Sequence, residues 1–149
     1  MGTIPFLTRQ EIYDRSVEHL LERRRAMLDR NDGPACRGPY GGCPVARLIR
    51  PVDFTPAMAG VPVRFLLAFA IGRTAYLDAG IAALRSALLR ARVNVYDERT
   101  VALLSELQDV RDLSGFREWP DRLRSIARDH GLDCGRALAA HGQAREGNL

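Results

Sequence analysis

Apolar residues recur at helical spacing along most of this chain. Ile12, Val17, Leu20, Leu21, Met27 and Leu28 form one stripe, and Leu77, Ile81, Leu84 and Leu88 form a second. Val101, Leu103, Leu104, Leu107 and Val110 make a third, and Leu123, Ile126 and Ala127 a fourth. A stripe of that period is the buried face of an amphipathic helix. Local signals set the helix ends. Thr8 and Glu11 have capping-box spacing, and Leu7 and Ile12 flank them as a hydrophobic staple. The first helix is therefore predicted from Thr8 to about Arg30, stopped by Asn31-Asp32-Gly33-Pro34. A second is predicted over Thr74 to Arg92, and a third after Asp97, which can cap it. The last begins near Trp119-Pro120, where proline's missing N–H costs nothing, and runs to His130. Gly131 then suits a left-handed cap, with Leu132 folding back over the final turn.

Between the first two helices the pattern changes. From Gly33 to Pro62 glycine and proline are dense enough to forbid long regular elements. Short apolar pieces survive there, Val45 to Ile49 and Phe54 to Met58, each one or two helical turns long. Strand-like composition is confined to "VPVRFLLAFAI" and "ARVNVY". The expected fold class is mostly α: a compact helical domain with a long irregular Gly/Pro-rich loop segment after the first helix. Residues 1–133 form a single helical domain, the irregular segment covers about 31–62, and 134–149 is a weakly ordered tail.

Composition narrows the function classes. Hydrophobic residues make up 46% and charged ones 27%, which suits a globular domain. The longest apolar run, Phe65 to Ile71, is far short of the about 20 residues a membrane span needs. The start lacks a basic segment leading into an apolar core, so no signal peptide is expected and the location is read as cytoplasmic. All 22 positive side chains are arginine. Schiff-base catalysis, a Ser-Lys dyad and a P-loop lysine are thereby excluded. The net charge of +4 is modest, and many arginines sit beside carboxylates.

Cys36 and Cys43 stand seven residues apart in the irregular segment. Structural zinc wants four Cys/His ligands in closely spaced pairs, but Cys134 is distant and His19, His130 and His141 form no pair. A disulfide fits poorly with a cytoplasmic protein. Catalysis needs a base, and none is near in sequence. Buried thiols pinning the loop are the expected reading, with the other three as alternatives and no metal or cofactor called for. Gly33 and Gly38 mimic the opening of a P-loop, but Pro39 and Tyr40 stand where Lys and Ser/Thr are required. The arginine runs at 23–25 and 122–128 are interleaved with or flanked by acids and read as solvated faces. Aromatic content of 7% offers little for base stacking. Gln108, Arg111 and Asp112, at helical spacing, can line a polar pocket near Trp119; the alternative is an Arg–Asp pair in solvent with Trp119 as a core anchor.

"CRGPYGGCPVARLIRPVDFTPAMAG" and "LLSELQDVRDLSGFREWPDRLRSIARDHGLD" together resemble the signature of a family of small bacteriophage- and prophage-associated proteins. That signature runs Cys-x-Tyr-Arg, Gly-x-x-Cys-x-Val-Gly-x-Leu-Ile and aromatic-x-Pro-x-Met-Glu-Gly, then Leu-Gln, His-Asp, Trp and a closing Gly-Leu. Cys36, Gly41, Cys43, Val45, Leu48, Ile49, Phe54, Pro56, Met58, Gly60, Gln108, Asp112, Trp119 and Leu132 match it. Tyr40 is displaced from its motif position, and Ala46, Ala59 and Arg111 replace the family's Gly, Glu and His. Losing the Glu and the His removes its two best acid–base groups. The resemblance implies a phage or prophage context, and the lack of any acid–base or nucleophile constellation beside a long irregular loop makes the expected role a small accessory protein that binds a host or phage protein without catalysis. Two alternatives stand beside it. One is a small-ligand binder or enzyme built from Cys36, Tyr40, Cys43, Gln108, Arg111, Asp112 and Trp119; the other is a nucleic-acid-binding protein. No membrane partner is expected.

Overall fold

A computed structural model describes residues 5–30, 44–58, 61–67, 79–113 and 117–134, with the side chains of 23–30, Pro44, Ala46, Asp112 and Leu113 outside that description. Of the described residues 73% are helical and none lies in a strand, so the fold is mostly α. The helices are α1 (Arg9–Arg30), α2 (Pro44–Leu48), α3 (Ala79–Arg90), α4 (Glu98–Leu113) and α5 (Trp119–Asp129). Three short 3₁₀ turns, Pro51–Asp53, Pro56–Met58 and Val63–Leu66, join α2 to the rest as a strap. Each is three or four residues long, the length that the prolines at 51, 56 and 62 allow.

The first helix starts as its sequence dictates. The Thr8 N–H donates to Glu11 Oε1 and the Glu11 N–H to Thr8 Oγ1, both at 3.1 Å. The N–H and hydroxyl of Thr8 hold the Glu11 carboxyl below the ordinary carboxylate range. Leu7 and Ile12 are both buried, which completes the staple. Asp97 caps α4, its Oδ2 accepting from the Thr100 N–H at 3.3 Å and the Thr100 hydroxyl at 2.6 Å.

Two helices end in the same hydrogen-bonded motif on different residues. In α5 the Leu132 N–H reaches the Ala127 carbonyl at 2.7 Å and the Gly131 N–H that of Arg128 at 3.2 Å, with Gly131 at φ +65°. In α3 the Val93 N–H reaches Leu88 at 2.9 Å and the Arg92 N–H reaches Leu89 at 3.0 Å. Arg92 takes the left-handed position at φ +66°. The helix therefore stops at Arg90, two residues before the predicted end, although no glycine announces the stop. The Leu7 N–H donates to the Arg92 carbonyl at 2.8 Å, so this corner also receives the segment entering α1.

One apolar cluster runs through every element. It takes Ile12, Val17 and Leu20 from α1, Val45 and Leu48 from α2, and Met58, Val63 and Leu66 from the strap. From α3 to α5 it adds Leu84, Leu88, Val101, Leu103, Leu104, Leu107, Val110, Leu123 and Ala127. Fully burying such a side chain contributes about 1.5–3 kcal/mol for Val or Leu, so the stripes decide the packing. Tyr13 joins them, and its hydroxyl donates to the Leu123 carbonyl at 2.7 Å, tying α1 to α5. Burial pushes that phenol well above its ordinary pKa. Gln10 fastens the end of the described chain: its amide donates to the Asp133 carbonyl and accepts from the Asp133 N–H, each at 2.9 Å.

Candidate functional site

The residues singled out from sequence divide into two groups. Cys36, Tyr40 and Cys43 lie outside the described residues, so the thiol, disulfide and metal readings of that pair rest where the sequence left them. Gln108, Arg111, Asp112 and Trp119 fall on α4 and the start of α5. Gln108 is half-buried, and its Oε1 accepts the Val63 N–H at 3.0 Å, which pins the last strap turn onto α4. Trp119 is 4% exposed and belongs to the apolar cluster, where its size anchors the first turn of α5. Arg111 is half-buried in the last turn of α4, and Asp112 follows it in the same turn.

Among the described residues, polar grooves lie between helices at two places. The first, of about 190 Å³, separates α4 from α5 and is lined by Glu106, Asp109, Arg122, Ser125 and Asp129 above Val110 and Ile126. At its edge His130 Nε2 contacts Glu106 Oε2, and the His130 carbonyl accepts from Arg9 at 3.4 Å. The imidazole side chain is 12% exposed, so the carboxylate and the helix end fix its orientation. The second groove, of about 290 Å³, lies between α1 and α2 and is lined by Arg15, Glu18, His19, Glu22 and Arg47. Both carry charges of each sign on open helix faces. Among the described residues no three His, Cys, Asp or Glu side chains are placed to hold a metal ion.

The strap is the other exposed feature. Its inner residues, Met58, Val63 and Leu66, are buried, while Val52 is 79% exposed and Phe65 and Leu67 also face outward. The Arg64 guanidinium sits 5.5 Å from the Phe65 ring centroid, within cation–π range. Asp53 is clasped from two sides, by Arg50 Nε at 2.7 Å and by Arg90 of α3 at 3.3 Å. The Arg50 hydrogen bond, with Arg90 behind it, holds the Asp53 carboxyl below its ordinary range. Of these residues the sequence signature includes Met58, and none was singled out from the sequence as a candidate site residue. Alternation of buried and exposed positions in a 3₁₀ turn has too short a period over three residues to be read from a pattern.

Among the described residues no helix is long and apolar enough to cross a membrane. No protein-family model, curated protein or solved structure matches the chain.

Proposed function

We propose that this protein works by binding another protein through the exposed face of the strap, without catalysis, as a cytoplasmic accessory protein of the phage type its signature resembles. The observation that carries the reading is the outward-facing Val52, Phe65 and Leu67 on a segment whose opposite side is locked into the core. Large apolar side chains on a braced, irregular segment suit an interface, because binding then orders little that was not already fixed. The polar residues weighed as a pocket favour the same reading: Gln108 and Trp119 have structural duties on the described side.

The test uses the purified protein as immobilised bait in a bacterial lysate, beside a V52D/F65D variant. The expected result is one protein retained in a stoichiometric complex by the natural chain and lost with the variant, while the melting temperature stays within a degree or two. Capture that survives both substitutions would move the interface elsewhere. Turnover of a small molecule by the natural chain, abolished at Arg111 or Asp112, would establish the enzymatic alternative in its place.

A further inference from the structure

Residues 44–90 contain six arginines and two aspartates, so this span carries the whole net charge of +4, while the rest of the chain balances sixteen against sixteen. The described part of it is the strap with α2 and α3: Arg50 and Arg90 meet the strap at Asp53, its single described carboxylate, and Arg64 stands on its last turn, while Arg47 lines the groove that holds Glu18 and Glu22. The Asp53 carboxylate is already engaged, its side chain 6% exposed beneath Arg50 and Arg90, whereas those two arginines remain 61% and 64% exposed. Arg64 against the Phe65 ring, and Arg50 and Arg90 at Asp53 beside exposed Val52, make the strap complementary to an anionic partner with apolar groups of its own.

Resting on the strap reading above, we infer that the partner presents an acidic protein surface, carboxylates surrounding an apolar centre. Two features favour protein over other polyanions. Val52 and Phe65 stand on 3₁₀ turns of three and four residues, too short for the continuous amphipathic helix that lies in a lipid surface. Val52 and Leu67 offer aliphatic contact that cannot stack bases, leaving Phe65 as the one described aromatic ring of the strap that is largely exposed.

The probe is a fluorescein-labelled random copolymer of glutamate and tyrosine, followed by anisotropy with the full chain. Binding should weaken about tenfold between roughly 50 and 300 mM NaCl, because the charges lie at the surface and are screened. R64Q/R90Q should weaken it by about threefold or more, since each lost charge removes steering and contact. Oligo(dT) or phosphatidylserine vesicles bound more tightly than the copolymer would overturn the inference, as would binding indifferent to salt and to R64Q/R90Q. The two proposals fail separately: a captured partner lost with V52D/F65D but unaffected by salt and R64Q/R90Q would leave the strap interface standing and remove its acidic complement.

Discussion

Arg92 holds a conformation that an L side chain adopts at a cost. Its φ of +66° brings Cβ close to the backbone, a penalty of about 1–2 kcal/mol that glycine escapes. It is tolerated because the turn it completes gives Val93 a buried place and presents a carbonyl to Leu7. Arg92→Gly should raise stability by about 0.5–1 kcal/mol, the relief of strain being partly offset by the freer unfolded chain. A denaturant midpoint that rises with unchanged slope is the expected reading; an unchanged or lower midpoint would show that the Arg92 side chain has a compensating role. At Gly131 the same geometry costs nothing, and a Cβ there would meet no atom within 4 Å, so backbone conformation rather than space selects the glycine.

Elements are held to one another by a few polar contacts laid over the apolar packing. The clasp of Asp53 by Arg50 and Arg90 joins the strap to the end of α3. Because its folded pKa is depressed, the carboxylate contributes stability that is present at neutral pH. That contribution falls away as the pH drops from about 4, the unfolded value, through the lower folded one. The melting temperature of the natural chain should therefore exceed that of Asp53→Asn at neutral pH, with the two curves converging toward pH 2. A difference that persists in acid would mean that packing at Asp53, not its charge, holds the strap. Glu11 follows the same sign at the cap of α1, in both proteins alike.

At the scale of the whole molecule, one apolar cluster among the described residues reaches the five described helices and the strap. A chain of 149 residues with a single core should unfold in one cooperative step. Trp119 is the sole tryptophan and lies inside that core, so its fluorescence reports tertiary packing while far-ultraviolet circular dichroism reports helix. The two midpoints should coincide in urea, and the starting spectrum should be helix-dominated. Separate midpoints would show that α5 or the strap unfolds on its own. What the sequence by itself determined are the features with local causes. The capping box at Thr8, the Asp97 cap, the proline in the first turn of α5 and the Gly131 stop each need a few neighbouring residues, and the buried stripes follow from a period of 3.6. The short helical piece at Val45 was legible for the same reason, whereas the one expected over Phe54 to Met58 shortens to a 3₁₀ turn at Pro56–Met58, because Pro56 can open a turn but cannot continue one from Phe54. Tertiary structure alone decided the rest: that Gln108 accepts from Val63, that Glu106 meets His130, that Arg90 reaches Asp53, and that Arg92 turns a corner without glycine. These partners lie far apart along the chain or depend on the energy of a whole junction, and no local pattern encodes a distance that exists only once the helices have packed.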